Sequence, residues 1–369
     1  MASRVLIAVL YNQTGEEEYE QMLRKARRDP DLQVDVSGDL STAREQIATL
    51  VEALKAAGFR AQGINIQDRF EELYRALSRR KPDVVFNLVE FFNDDPRQEF
   101  MVASLYELLR VPYTGASPLT LALCQRKGRA KRMLLASGLR TPKFRVMGKG
   151  VFQRRHGLHY PLIVKPIRED ASVGIEDASV VESLEQMEHR VRYVWQEFDQ
   201  AALVEEYIDG RELHVPILGN FPPRALPITE MDFSAVPPGL HNILSYSAKW
   251  DPRNVVYQNV KMQCPADLPA RTAARVGAVA LDAYRALDCR DYARIDIRLD
   301  GRNIPYVLEV NPNPDLSEQD VFMQSAHRAG LDTTAVLRKI VELALRRTPT
   351  RRNTMKGGME KGSGNGMRL

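Results

Sequence analysis

Long apolar runs are missing from this chain. No stretch approaches the roughly 18 residues that a membrane-spanning helix requires, so neither a spanning helix nor a membrane partner is expected. The apolar stretch within Arg4–Leu10 is too short for the core of a secretory leader, and no small-residue cleavage site follows it. A buried first strand and a cytoplasmic location are the expectations. Cysteine is scarce too. Cys124, Cys264 and Cys289 are far apart and lack metal-ligand spacing, which argues for buried thiols in a reducing compartment. Charge of one sign is absent from the body of the chain. Arg351, Arg352, Lys356, Lys361 and Arg368 against the single acid Glu360 account for the whole net charge of +4, so residues 1–347 are balanced. That excludes a basic nucleic-acid-binding body. No internal repeat is present.

What is present fits a soluble globular protein. A chain of 369 residues, 44% hydrophobic, can bury a large core and suggests two or three domains. The first segment alternates strand and helix: an apolar strand at Arg4–Leu10, a helix over Ser41–Ala57, and a strand at Arg60–Ile66. A helix over 68–80, a buried strand at Asp83–Val89 and a helix over 97–110 follow. Ser41 reads as an N-cap, Ile47, Leu50, Val51 and Leu54 share one face, and Gly58 ends the helix. The order β-α-β-α-β predicts a parallel sheet covered by helices. Residues 12–40 are polar and weakly periodic, and read as an insertion or loop. From about 120 to 145 the pattern is helical, with Pro142 marking a boundary; a strand at Tyr160–Pro166, a helix at 182–195 and strands at Ala202–Ile208 and Arg211–Leu218 follow. Residues 221–265 read as loops and short strands. A helix at Ala270–Ala286, two strands and a helix at 332–346 complete the folded part. The glycine-containing tail after 347 is expected to be disordered.

Three runs carry chemistry. In Arg294-Ile295-Asp296-Ile297-Arg298 and Leu308-Glu309-Val310-Asn311-Pro312, residues alternate with period two, as in half-buried strands. With a four-residue hairpin loop at Asp300–Asn303, Asp296 would face Val307 and Arg294 would face Glu309. Arg294, Asp296, Glu309 and Asn311 then share one face; an odd loop would split them. Such oxygens suit a hard cation; a solvated charged hairpin is the alternative. The second run, Val164-Lys165-Pro166 through Ala171-Ser172-Val173-Gly174, ends an apolar strand on a lysine and enters a polar loop, an arrangement able to hold phosphate. A surface lysine before a turn is its plainer reading. The third, Val204-Glu205-Glu206-Tyr207-Ile208-Asp209-Gly210-Arg211-Glu212, sets glutamates in an apolar strand, where unpaired carboxylates are costly. A nucleotide would supply donors; ion pairing with Arg211 or Lys165 is the alternative.

In this order and spacing the runs resemble the ATP-grasp superfamily, and within it the D-alanine–D-alanine ligase family. The likeness spans roughly residues 83–325 and includes Val111-Pro112-Tyr113-Thr114-Gly115 and Lys127 through Pro142. It implies an α/β (α+β) ATP-grasp fold with an N-terminal Rossmann-like parallel-sheet domain. Residues 1–125 would form the substrate-side domain, 126–210 the central lid domain, 211–347 the C-terminal domain with the metal site, and 348–369 a basic tail. The resemblance implies ATP phosphates at Lys127, Lys165 and Ser172, adenine-side contacts at Glu205, Glu206 and Ile208, and a ribose contact at Glu212. It implies magnesium, two ions with Mn²⁺ able to substitute, on Asp296, Glu309 and Asn311. Arg294 would stabilise the reacting carboxyl group, and Lys249 would reach the transferred phosphate. Segments 150–215 and 230–258 would cover the site. The implied function is ATP-dependent amide-bond formation through an acyl phosphate between small amino-acid-like substrates, in a protein that is a homodimer like many such ligases. A ligase for another amino acid, dipeptide or natural product, and a nucleotide-binding protein without turnover, are the alternatives.

The chain departs from the family on the substrate side. The glycine-rich N-terminal signature is replaced by Tyr11-Asn12-Gln13-Thr14-Gly15-Glu16-Glu17-Glu18, and His-Gly after the third strand by Glu90-Phe91. Of the two serines usual in the phosphate loop, one is Ala171. A Met-Thr-x-x-Ser-like run that binds the second substrate is replaced by Asp315-Leu316-Ser317-Glu318-Gln319-Asp320. Carboxylates there predict an acceptor other than D-alanine: a diamine, an amide-capped residue or a basic amino acid.

Overall fold

In a computed structural model the chain is described over residues 5–13, 37–169, 172–251 and 253–347. The readings of a loop within 12–40, of acids after Tyr11, of Ala171 and of a disordered tail fall largely or wholly outside the described residues.

The N-terminal part is a three-stranded parallel sheet, order β2-β1-β3, built from β1 (Leu6–Tyr11), β2 (Arg60–Asn65) and β3 (Val84–Leu88). Alternation along its strands feeds two cores. Ile7, Val9, Val84 and Phe86 pack with Val51 and Leu54 of helix Ser37–Ala56 and with Val336, Leu337 and Ile340 of helix Thr333–Arg346. Ala8, Leu10 and Val85 meet Leu73 and Leu77 of helix Phe70–Ser78 and Val102 and Tyr106 of helix Glu99–Leu108. Both faces are covered, as parallel sheets require, and each buried Ile, Leu or Val contributes about 1.5–3 kcal/mol. The boundary of the first helix differs from expectation: the helix starts at Ser37, so Ser41 lies inside it and is not its N-cap. Leu40 is the sole apolar residue of that first turn, which left periodicity no mark to follow. Gly58, with φ of 91°, does end it.

A four-stranded antiparallel sheet follows, order β4-β7-β5-β6, from β4 (Phe144–Met147), β5 (Leu162–Pro166), β6 (Val180–Val181) and β7 (Ala202–Glu206). Leu162, Val164, Ala202 and Val204 pack against Met187, Val191 and Trp195 of helix Leu184–Glu197. Period two sends Ile163, Lys165, Leu203 and Glu205 to the opposite face. The largest sheet has the order β11-β10-β8-β12-β13, with β9 (Arg224–Ala225) paired to β8. Its strands are β8 (Gly210–Leu218), β10 (Thr229–Asp232), β11 (Lys261–Gln263), β12 (Tyr292–Asp300) and β13 (Pro305–Asn311). Leu213, Val215, Ala293, Ile295, Ile297 and Leu299 bury against Val276, Ala280 and Ala283 of helix Ala270–Ala286. The alternate residues, Glu212, His214, Arg294, Asp296 and Arg298, therefore share the other face. β8 can lie this close to β12 at its start because residue 210 is glycine: φ is 142°, and a Cβ there would stand 2.1 Å from the Leu299 carbonyl oxygen. Of the cysteines, Cys124 is buried, whereas Cys264 and Cys289 are only half-buried, and all three are free thiols. The latter two sit in connections, just past β11 and just past helix Ala270–Ala286, rather than on a core-facing strand.

Candidate active site

The polar face of β8, β12 and β13 is the floor of the site. Arg294 pairs with Asn311 and Asp296 with Glu309, directly across the hairpin. The expected partners, Val307 for Asp296 and Glu309 for Arg294, are thus two residues out. Near the turn Leu299 pairs with Pro305, so the loop is five residues long, the odd length that would divide the set. A register shift between Asp296 and Ile297, with Leu308 as the extra residue, reverses the parity. The bulge is what brings Glu309 and Asn311 back to the face of Asp296.

Ion pairs lock this floor. Arg294 donates from Nε to Asp296 Oδ1 at 2.8 Å and from Nη2 to Oδ2 at 3.0 Å, and its Nη1 lies 4.0 Å from Asp320 Oδ1. Burial alone would push the Asp296 carboxyl up, but the Arg294 guanidinium outweighs it and holds it well below the usual carboxylate range. Burial opposes charge on Arg294 in turn, and Asp296 more than restores it. Glu212 accepts from Arg298 Nη2 at 2.7 Å and lies 3.3 Å from His214 Nε2. Its carboxyl, which burial would raise, is held down at about 2, chiefly by Arg298. Burial raises the Asp320 carboxyl, with Arg294 pulling the other way.

The facing wall comes from the four-stranded sheet. Glu205 is 1% exposed and sits between Lys131 and Lys165. Its Oε2 is 2.8 Å from Lys131 Nζ, an ion pair without an aligned hydrogen bond, while Lys165 holds Oε1. Lys131 also donates to Thr141 Oγ1 at 2.8 Å. Burial would raise the Glu205 carboxyl, yet the two ammonium groups keep it below its ordinary value; burial in turn draws Lys131 down, and Glu205 restores only part. The pairing with Lys165 read as an alternative from the sequence is therefore present. Arg211, the other suggested partner, instead binds Glu230. Lys127 Nζ donates to the Glu169 carbonyl and lies 3.8 Å from Glu309 Oε2. Glu206 meets His159 Nδ1 at 2.8 Å, and Ile208 follows in the link between β7 and β8.

Between floor and wall is a cleft of about 710 Å³, open mouth included. Lys165, Ser172, Glu205, Glu206, Ile208 and Glu212 line it, as do Lys249, Asp296 and Glu309. Lys127, Arg294 and Asn311 are not among its lining residues; Asn311 Oδ1 accepts the Asn313 N–H at 3.0 Å. One side is closed by the segment around Asn242–Ser247, where the Leu244 carbonyl accepts from Ser172 Oγ at 2.7 Å and Tyr246 N–H donates to the Ile175 carbonyl at 2.9 Å. Sequence reasoning missed Lys131, His214 and Arg298. Period two along β8 and β12 would have flagged the last two, since each lies two residues from a chosen one. His214 is buried, lines the cleft, and its Nδ1 has no hydrogen-bond partner among the described residues.

The oxygens of Asp296, Glu309 and Asn311 fit a hard divalent cation. Among the described residues no group of three or more His, Cys, Asp or Glu forms a cage. A metal here would need further oxygens from outside the protein, the way Mg²⁺ is shared between carboxylates and phosphates.

Known proteins share this arrangement of elements. A family model described as D-ala D-ala ligase C-terminus matches residues 135–342. An uncharacterized protein, y4sG, of Sinorhizobium fredii is 36% identical over 270 residues, 73% of this chain and 76% of its own. D-alanine–D-alanine ligase B of Xanthomonas campestris is 32% identical over 304 residues, 81% of this chain and 88% of its own. The crystal structure of D-alanine–D-alanine ligase from Bacillus anthracis complexed with ATP matches with a TM-score of 0.68 at 22% identity, covering 93% of this chain and 98% of that one, a likeness of fold.

Proposed function

The chain belongs to the D-alanine–D-alanine ligase family, and from that premise we propose that it is an ATP-dependent ligase joining a carboxylate to an amine through an acyl phosphate. The observation that carries this is the convergence of Lys165, Lys249, Asp296 and Glu309 on one cleft, with Lys127 3.8 Å from Glu309. A carboxylate is a poor acyl donor because oxide is a poor leaving group. Its oxygen attacks the terminal phosphorus of ATP, the bond to the bridging oxygen breaks, and ADP leaves. Lys127, Lys165 and Lys249 would offset charge on the phosphate oxygens. Asp296, Glu309 and Asn311 would hold Mg²⁺, two ions in the resemblance, with Mn²⁺ as a substitute; bound there, the metal neutralises phosphate charge. The amine then attacks the acyl carbon, its proton is lost, and inorganic phosphate departs. Arg294 would stabilise the oxyanion of that intermediate. Glu206, Ile208 and Glu212 would take the adenine and ribose side. Glu205 would contribute mainly by fixing Lys165.

Water must be excluded from an acyl phosphate, and the contacts of Ser172 with Leu244 and Ile175 with Tyr246 suit a cover over it. The reading brings with it small amino-acid-like substrates, a cytoplasmic setting where ATP is supplied, and a homodimer. ADP release with Mg·ATP over a panel of D- and L-amino acids tests it, with Glu309→Ala as the control. Glu309 is 36% exposed at its side chain and paired only at 3.8 Å, so the variant is expected to lose turnover while its stability moves by less than about 1 kcal/mol. Undiminished ADP release by Glu309→Ala would remove the metal role.

A further inference from the structure

Resting on the ligase reading, we infer that the amine acceptor carries no carboxylate beside its reacting nitrogen, because Asp320 of this chain fills the place where one would bind. The acceptor is then an amide-capped amino acid or a short diamine.

Position along β12 separates the two ends of the site. Arg298 binds Glu212 beside the cleft, Asp296 comes next, and Arg294 lies about 7 Å further along the strand at about 3.3 Å per residue. Arg294 and Asp320 are off the cleft lining and beyond the carboxylates that would hold the metal. The donor carboxylate attacks phosphorus in line with the departing ADP, so the acyl group, and the amine that meets it, would lie beyond the phosphates, at this end.

Two features at this end could receive an anion, and one carboxylate occupies both. The Arg294 guanidinium is engaged through Nε and Nη2 by Asp296, and its remaining nitrogen faces Asp320 at 4.0 Å. The helix Val321–Arg328 would offer backbone N–H groups at its start, but Asp320 is its N-cap and accepts the Phe322 N–H at 3.4 Å. The same run adds Asp315, which holds Ser317, and Glu318, which lies 3.4 Å from His327. A carboxylate arriving beside Arg294 would meet Asp320 across a guanidinium already shared with Asp296, and a like-charge contact of that kind disfavours it. An ammonium or a neutral amide meets no such penalty. A basic amino acid keeps its own carboxylate, so the geometry disfavours that third option.

The test compares acceptors that differ only in that group: alanine against alaninamide, each of both hands, with 1,2-diaminoethane as a third probe and alanine as donor. Wild type, Asp320→Ser and Asp320→Asn are assayed for ADP release with Mg·ATP. Binding of the same probes to the Mg·ADP complex is measured by calorimetry. Serine and asparagine are good N-caps, so the helix start is kept. Wild type should prefer alaninamide over alanine by about tenfold or more in kcat/KM or in Kd, and both variants should reduce that preference by about tenfold. KM for ATP serves as the control for the cleft. Alanine used or bound as well as alaninamide by wild type would overturn the inference. So would a preference unchanged in both variants, or no probe binding to any of the three proteins. Failure to bind Mg·ATP at all would instead overturn the ligase reading.

Discussion

Replacing Glu205 by glutamine removes the one carboxylate between two buried ammonium groups. Lys131 is 2% exposed and Glu205 1% exposed. With the carboxylate gone, Lys131 keeps only Thr141 Oγ1, and Lys165 loses the partner on its other side. Stranding a buried charge in this way costs about 3–5 kcal/mol. Lys131→Met is expected to cost less, about 1–3 kcal/mol, because Glu205 and Lys165 still balance each other. The double variant should then be more stable than Glu205→Gln alone, since it removes one of the two stranded ammonium groups.

Trp195 gives a local reading of this sheet. It packs with Val164 and Val204 and donates to the Met147 carbonyl at 3.1 Å. Its fluorescence during urea unfolding, in a Trp250→Phe background, follows the right region without assuming that the whole chain unfolds in one step. Glu205 has a depressed carboxyl, so its contribution is present above the unfolded value of 4.5 and is lost as pH falls through the lower folded value. That acid-side loss should shrink in Glu205→Gln. If Glu205→Gln unfolds within about 0.5 kcal/mol of wild type and only KM for ATP rises, the ion-pair reasoning is wrong and the carboxylate serves the nucleotide alone.

Two further outcomes follow from the floor of the site. Glu212 is held at about 2 against an ordinary 4.5, a difference of about 3 kcal/mol, present above pH about 4.5 and lost as pH falls toward about 2. Arg298→Leu should therefore move the acid-unfolding midpoint upward in circular dichroism and weaken ATP binding in calorimetry; an unmoved midpoint would mean that His214 alone holds the carboxylate. Gly210→Ala would set a Cβ 2.1 Å from the Leu299 carbonyl oxygen at a φ of 142°, so a loss of about 3 kcal/mol or more in chemical denaturation is expected, and a silent substitution would show that β8 can move away from β12.

Much of this was legible from alternation. The strands of the N-terminal sheet, strands β5, β7, β8, β12 and β13, the helix at Ala270–Ala286 and the polar face of β12 follow from spacing, because a sheet buried on one side has no other way to arrange Ile295, Ile297 and Leu299. β4, which begins inside the stretch read as helical, and the short helices Tyr246–Trp250 and Val255–Asn259, inside the stretch read as loops and short strands, do not. Pairing was not legible. Asp300 closes a five-residue turn by accepting from Arg302 N–H and Ile304 N–H, and the bulge at Leu308 then corrects its parity. Neither leaves a pattern in the residues themselves, since Leu308 looks like any apolar strand residue. Lys131 was hidden for a different reason. On a helix of mean polar character it reads as one of several solvated bases, and only the approach of β7 in space makes it a buried partner of Glu205.

Charge along β12 alternates in function as well as in sign. Arg298, Asp296 and Arg294 are successive residues of one face, and each is already engaged, with Glu212, Arg294 and Asp296 respectively. A floor paired in this way has small net charge of its own, so it does not have to be discharged before ligands arrive. A polyanion would then be met by Lys165, which one carboxylate, Glu205, shares with Lys131, by Lys249, and by any cation that Glu309 and Asp296 would hold. Glu309 is the least committed of these carboxylates, with Lys127 its nearest cation at 3.8 Å. That places the adjustable charge of the site at the nucleotide end and the fixed charge at the Arg294–Asp320 end. A fixed, internally neutralised end selects by what it refuses, which is why a single substitution at Asp320 is expected to change the acceptor more than the rate of phosphoryl transfer.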